Sequence, residues 1–351
     1  MILRNNYILL IFATIVFALF LFLMAMPLFN VVDLRPLAIN DSISFMIVNF
    51  SAYLLFLISF GFIRKCNAYF FYYKLMWIQE MLITLGFLGL GIGFVYMILG
   101  MHVPPAPGVD PTAKLVASIA IAMITVIYGF FGAVVFYLIQ KYYELKGNNN
   151  EKNDFIAPKE GFQLQPMIYF IIFLIVYFLA CHIGALDAGV STKNIVTSEG
   201  LIFIISINAI FIFMYKGNYL NLIKNIFWYK NEPENSIRYN LIFIRNIKKI
   251  ASMIMTLILI VTPLIILASL GLDDNHIAIA LVIENILIYY VYVTLLIVII
   301  NVIEAKEVGK LYLINGEISS GNRFFVITYI LPPAVFLYVT LMMTIYWTTL
   351  F

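Results

Sequence analysis

Among the polar side chains within apolar stretches of this sequence, four could line a path for ions: Thr125, Thr262, Glu284 and Asn285. Burying a carboxyl group in a hydrocarbon layer costs free energy, so an acid such as Glu284 within an apolar segment is a candidate functional residue. A neutral Glu284 could carry a proton or pair with Asn285, and the two threonine hydroxyls could line a polar path. The alternative is that Glu284 is hydrogen-bonded and serves helix packing. These four residues are the candidate ion-path or pore residues.

The remaining residues do not form an arrangement typical of an enzyme. The sequence contains no Ser/His/Asp constellation, phosphate-binding loop or metal-ligand spacing. His102, His182 and His276 are predicted at the outer ends of apolar segments, without the i, i+4 pairing that a helical metal site would use. We therefore predict no catalytic residue, no metal site, no cofactor and no enzyme activity.

Small residues recur at a spacing of four in two consecutive apolar segments. Such small-xxx-small pairs let helix backbones approach closely inside a bilayer. They can form the wall of a pore, or they can serve packing alone, since glycine is common in membrane helices. The candidate packing residues are Gly86, Gly89, Gly93, Ser118, Ala122, Gly129 and Ala133.

Composition defines the elements that must position these residues. The chain is 64% hydrophobic and 11% charged, and its mean hydropathy is +1.01, which indicates a polytopic membrane protein. Apolar segments of membrane length predict about nine transmembrane helices: Tyr7–Phe29, Ile43–Ile63, Met81–Met101, Thr112–Gln140, Met167–Gly189, Ile195–Tyr215, Ile250–Leu270, Ile277–Ile303 and Phe324–Phe351.

The basic residues predict the orientation of these helices. If the N-terminus lies inside, then of the 21 Lys and Arg residues only Arg35, Lys114 and Lys193 fall on the outer side. The C-terminus is then outside. The longest inner connection, Lys216–Lys249, is predicted to form amphipathic helices at the membrane surface. The net charge of +3 is explained by this topology and indicates no nucleic-acid partner.

The chain also shows signs of an internal duplication. Phe45–Phe50 resembles Phe203–Asn208, and Met81–Leu85 resembles Met253–Leu257. Each half has four segments, so both halves would enter the membrane in the same orientation, as parallel repeats. The predicted fold is thus all-α, with two parallel four-helix repeats plus a ninth helix. The predicted domains are residues 1–146, a cytoplasmic linker 147–165, a degenerate second repeat 166–310, and the C-terminal helix 311–351.

Two stretches of the first half carry a family resemblance. One is Gly86-Phe-Leu-Gly89-Leu-Gly-Ile-Gly-Phe-Val. The other, after Asp110-Pro111, is Ile119-Ala-Ile-Ala-Met-Ile-Thr125-Val-Ile-Tyr-Gly129. They resemble the Gly-x-x-Gly-Thr-x-x-Gly and Ala-x-x-Thr-Thr-x-x-Gly patterns of the MotA/TolQ/ExbB family of proton channels. Leu90 and Val126 stand where the family has threonine, and Thr125 is retained.

The resemblance implies an ion-channel-like subunit in the bacterial inner (cytoplasmic) membrane. It also implies a homo-oligomer that embraces a single-span partner protein bearing an intramembrane acid. Segments 81–101 and 112–140 would then pack a pore or the partner helix. Two alternatives stay open: a small-molecule or lipid transporter built from two parallel repeats, and a non-conducting membrane scaffold.

Overall fold

The structure is a computed structural model that describes residues 42–61, 68–101, 111–145, 160–187, 197–214, 218–269, 276–316 and 318. The predicted first and ninth transmembrane helices, Tyr7–Phe29 and Phe324–Phe351, lie outside the described residues, as does most of the predicted linker. Within the described part, the chain is mostly helical, which confirms the all-α prediction.

Helices lie at seven of the predicted segments. The first is continuous but is divided into α1 (Ser42–Phe45), a π-helical turn (Met46–Phe50) and α2 (Ser51–Phe60). The other six segments contain the longer helices α3 (Ala68–Met101), α4 (Pro111–Leu145), α5 (Leu164–Asp187), α6 (Ser198–Met214), α8 (Glu234–Ser269) and α9 (His276–Asn315). The short helix α7 (Asn218–Lys224) lies between α6 and α8.

Among the described residues, four stretches are helical, long enough and apolar enough to cross a membrane: Ala68–Tyr96, Ile124–Tyr143, Leu164–Ile183 and Asn285–Asn315. Two shorter apolar helices, Ile47–Phe60 and Gly200–Phe213, accompany them. The chain is therefore a helical membrane protein. The count of nine spans, their orientation and the internal duplication stay predictions.

Three helices extend well beyond the apolar segments that predicted them. α3 begins at Ala68 rather than at Met81, α8 begins at Glu234 rather than at Ile250, and α9 ends at Asn315 rather than at Ile303. A hydropathy window locates the part of a helix that is apolar enough to lie in the bilayer. The helix itself continues until a residue that ends helical structure. The predicted surface region Lys216–Lys249 accordingly contains α7, but its second half is the beginning of α8.

α3 and α9 form the centre of the described bundle. Their membrane-length windows are 83% and 72% buried, against 33% for α4 and 22% for α5. The two central helices are antiparallel. Phe70 stacks on Tyr312 with ring centroids 4.1 Å apart, and farther along the Tyr290 hydroxyl donates to the carbonyl of Phe87 at 3.1 Å. α4 packs on α3, and α8 packs on α9.

The outward faces of the peripheral helices are apolar. On α5, Ile171, Leu174, Ile175 and Phe178 recur at helical spacing, and all four are more than 40% exposed. Such a face would be unfavourable in water but is the expected surface against lipid tails.

Two short β-strands pair with each other beside the helices. β1 (Gly161–Phe162) pairs antiparallel with β2 (Trp228–Tyr229), so that Gly161 faces Tyr229 and Phe162 faces Trp228. The pairing joins the residues that precede α5 to the connection between α7 and α8.

Candidate functional site

The two sequence motifs that carry the family resemblance meet in the contact between α3 and α4. A Cβ atom added at Gly129 would lie 2.6 Å from the carbonyl oxygen of Leu82 and 3.2 Å from the Cα of Gly86. A Cβ added at Gly86 would lie 3.0 Å from the carbonyl oxygen of Thr125. Real Cβ atoms essentially never approach within 3.0 Å, so the absence of a side chain at these positions sets the distance between the helices.

Thr125 lies in this same contact. Its side chain is buried, and its hydroxyl donates a hydrogen bond to the carbonyl oxygen of Gly86 at 3.1 Å. The Thr125 side chain also occupies the space beside Gly89, where an added Cβ would lie 2.7 Å from the Thr125 Cβ. Thr125, predicted as an ion-path residue, thus joins α3 to α4.

The other predicted site residues are more scattered. Ala133 is buried on α4, Gly93 lies on α3, and Asn285 is half-buried on α9. Ser118 and Ala122 lie on α4, Thr262 lies on α8 and Glu284 lies on α9, but their side chains are outside the described part of the structure. Of the four ion-path candidates, the described structure thus gives side-chain surroundings for Thr125 and Asn285.

Four charged residues form a second site where α3, α8 and α9 meet. The ammonium group of Lys248 (α8) lies 2.7 Å from Glu80 (α3) and 3.4 Å from Glu304 (α9). The guanidinium Nε of Arg245 (α8) lies 3.1 Å from the other carboxylate oxygen of Glu304. We call these four residues the central ion-pair network. It contains two carboxylates and two cations, and it connects a helix of the first predicted repeat to two helices of the second.

The network is largely shielded from solvent. The side chain of Lys248 is 8% exposed, and those of Glu304 and Glu80 are 12% and 15% exposed. Burial disfavours the charged form of Lys248, but Glu80 and Glu304 outweigh this effect, so the pKa of Lys248 is raised above its ordinary value. Removing one member of such a buried pair leaves an uncompensated charge, which is strongly destabilising.

A further polar cluster lies next to this network on α9 and consists of Asn225, Glu232, Asn240, Glu307 and Lys310. The side-chain amide of Asn225 lies 3.2 Å from both carboxylates, and the amide of Asn240 lies 3.1 Å from Glu232 and 3.3 Å from Glu307. The Lys310 ammonium lies 2.7 Å from Glu307 and 3.6 Å from Glu232. Two carboxylates thus share three donors, an arrangement that fixes the α7–α8 connection to α9.

Asn301 is a further buried polar residue of the central helices. It is 2% exposed, and its backbone carbonyl accepts a hydrogen bond from the Trp77 indole at 3.1 Å. Within the described residues, neither its side-chain oxygen nor its side-chain nitrogen has a partner. Buried amides are satisfied in most proteins, so this one is expected to bind water or a ligand.

These two clusters were missed by reasoning from the sequence. Arg245 and Lys248 were counted as basic residues of the inner loop, and Glu80 and Glu304 lie just outside the predicted apolar segments. The signal was present in the run Glu304-Ala-Lys-Glu307-Val-Gly-Lys310, whose charges recur at helical spacing. A tertiary structure was needed to show that this helical run is buried.

The described residues contain no group of three or more His, Cys, Asp or Glu side chains that could hold a metal ion. His182 is exposed on α5. No family model, no curated protein and no solved structure matches this chain.

Proposed function

We propose that this protein is an ion-channel-like subunit of a complex of the MotA/TolQ/ExbB type in a bacterial inner membrane. In this proposal the chain forms a homo-oligomer, and α3 and α4 hold a single-span partner protein that carries an intramembrane acid.

One observation carries the proposal. Gly86, Gly89, Thr125 and Gly129, which belong to the two motifs of the resemblance, form one tight contact between antiparallel helices. The two helices are consecutive in the chain, but this adjacency alone does not determine that the small residues of both motifs face each other. A close glycine contact gives a narrow, rigid hairpin, which suits a helix pair that must present a constant surface to a partner.

The surface available to that partner is on α4. Ile127, Val134 and Leu138 are exposed and follow one another at intervals of seven and four residues, so they form a stripe along the helix. The Thr125 hydroxyl is engaged with Gly86. We therefore assign the polar path to Glu284 and Asn285 on α9, with Thr125 holding the hairpin together.

The test is purification of the tagged full-length protein in mild detergent, followed by native mass measurement and identification of bound proteins. The expected result is a ring of several copies that retains a single-span protein with an acid in its membrane helix. Val134→Trp on the α4 stripe should reduce partner recovery, whereas Ile175→Trp on the exposed face of α5 should not. A monomer or dimer without a partner would contradict the proposal.

A second candidate is a transporter for a small or lipidic solute, and one observation favours it. The central helices α3 and α9 come from different predicted repeats and are bridged by Lys248. Transporters built from two repeats place their binding sites where the repeats meet. Thermal stabilisation by a solute, measured on the partnerless protein, would support this function. A protein with neither proton flux in liposomes nor solute binding would fit a membrane scaffold.

A further inference from the structure

The two acids of the central ion-pair network differ in their cationic partners. Glu304 contacts both Arg245 and Lys248. Within the described structure, the carboxylate of Glu80 contacts Lys248, which it shares with Glu304. Protonation of Glu80 weakens one ion-pair contact, with Lys248, whereas protonation of Glu304 weakens two, with Arg245 and with Lys248. Electrostatics therefore makes Glu80 the acid that accepts a proton at the lower cost.

Asn301 provides an independent sign that this region binds something small and polar. The contacts of Arg245 with Glu304 and of Met255 with Thr294 set the antiparallel register of α8 and α9, and this register puts Lys248 opposite Asn301. The Asn301 amide, which has no partner among the residues that the structure describes, is thus on the same level as the network. A buried amide of this kind is normally satisfied by water, and water is the vehicle by which a proton reaches a buried carboxylate.

We propose that Glu80 is a proton-binding site, supplied through water at Asn301, and that its protonation releases α3 from α8. The proton is delivered by a hydronium ion: one of its O–H bonds breaks, a new O–H bond forms on the Glu80 carboxylate, and a water molecule is left. The ion pair between Lys248 and Glu80 is then lost, and Lys248 keeps its ion pair with Glu304. The charge of the network changes from zero to +1.

Protonation of Glu80 would change the packing of the helices, because the network is a contact between the two predicted repeats. Glu80 is the member of the network on α3, whereas Arg245, Lys248 and Glu304 are on the α8–α9 hairpin. Loss of the Glu80–Lys248 pair therefore weakens the attachment of α3 to that hairpin without disturbing the pairs inside it. The nearby acids Glu232 and Glu307 are held separately by Lys310 and the amides of Asn225 and Asn240.

The proposal does not depend on the channel-like complex and can be tested on the full-length chain alone, reconstituted in lipid. Infrared difference spectra between acidic and neutral pH would detect the carbonyl band of a protonated carboxyl group. We expect a band component at the frequency of a carboxyl group shielded from water, separate from the bands of the exposed acids, and its loss in Glu80→Gln. Glu234→Gln is the matched control, because Glu234 pairs with Arg238 at an exposed position of α8.

The outcomes are distinct. A band that survives Glu80→Gln and disappears in Glu304→Gln or Glu307→Gln would overturn the assignment, as would the absence of a pH-dependent band. If Glu80→Gln does not fold, Glu80→Asp keeps a carboxyl group with a shorter reach to Lys248. The midpoint of its band should then move, and an unchanged midpoint would also overturn the proposal. Spin labels on α3 and α8 should move apart on acidification in the unmodified protein and show no pH response in Glu80→Gln.

Discussion

Replacing Gly129 by alanine tests whether the α3–α4 contact is set by the absence of a side chain. The new Cβ would lie 2.6 Å from the Leu82 carbonyl oxygen, whereas an ordinary contact begins at 3.4 Å. The helices must therefore separate by roughly 0.8 Å, the difference between these distances, unless the backbone bends. That movement would stretch the Thr125–Gly86 hydrogen bond from 3.1 Å to beyond the limit for a hydrogen bond.

The expected cost follows from these two effects. Overpacking against rigid backbone costs about 1–3 kcal/mol, and an interhelical hydrogen bond in a membrane contributes about 0.6 kcal/mol. We expect Gly129→Ala to lower the free energy of unfolding by about 2 kcal/mol relative to a matched alanine variant. That is about a 30-fold change in the unfolding equilibrium constant.

The matched variant is Gly132→Ala, about one turn farther along α4. Its Cβ would meet the side-chain tips of Asn49 and Leu82 at 3.1 Å, and side chains can turn aside where backbone cannot. Both variants gain the same helix propensity of about 1 kcal/mol, so their difference isolates the backbone clash. The free energy of unfolding would be measured by SDS titration in mixed micelles. Equal stability of the two variants, or a larger loss for Gly132→Ala, would refute the reasoning.

Three further predictions use the same unfolding measurement. Lys248→Met should cost about 3–5 kcal/mol because it leaves the largely buried Glu80 carboxylate without its Lys248 partner and removes one of the two cations that contact Glu304. Arg238→Met, at an exposed ion pair, should cost less than about 0.5 kcal/mol. Similar losses for the two variants would show that the network is not buried. Phe211→Ala should cost about 3 kcal/mol because the Phe211 side chain is 1% exposed. Phe213 is 88% exposed on the same helix, so Phe213→Ala should cost little. A larger loss of stability for Phe213→Ala than for Phe211→Ala would contradict the packing of α6. Trp77→Phe should cost about 1 kcal/mol through the lost hydrogen bond to the α9 backbone, and a neutral effect would argue against that contact.

Several features of the fold were predictable because they depend on local composition. The apolar runs around Ile171 and Leu296 had to be helical in a membrane, since a helix satisfies its backbone hydrogen bonds internally. The small-residue spacing of Gly86 and Gly129 likewise indicated close helix contact, though not which helices would meet. Helix ends were less predictable, because hydropathy falls at Met81 and Ile303 while the backbone stays helical for several more turns.

The sequence by itself determined that this chain is a helical membrane protein, because a long apolar segment has few other ways to satisfy its backbone in lipid. It also determined which residues are small enough for close contact. Only the tertiary structure decided that Glu80, Lys248 and Glu304 meet, since they are far apart in the chain and their charges resemble ordinary surface residues in a linear pattern. The reason is physical: the effect of a charge depends on its burial and its neighbours, and both are set by the packing of distant helices.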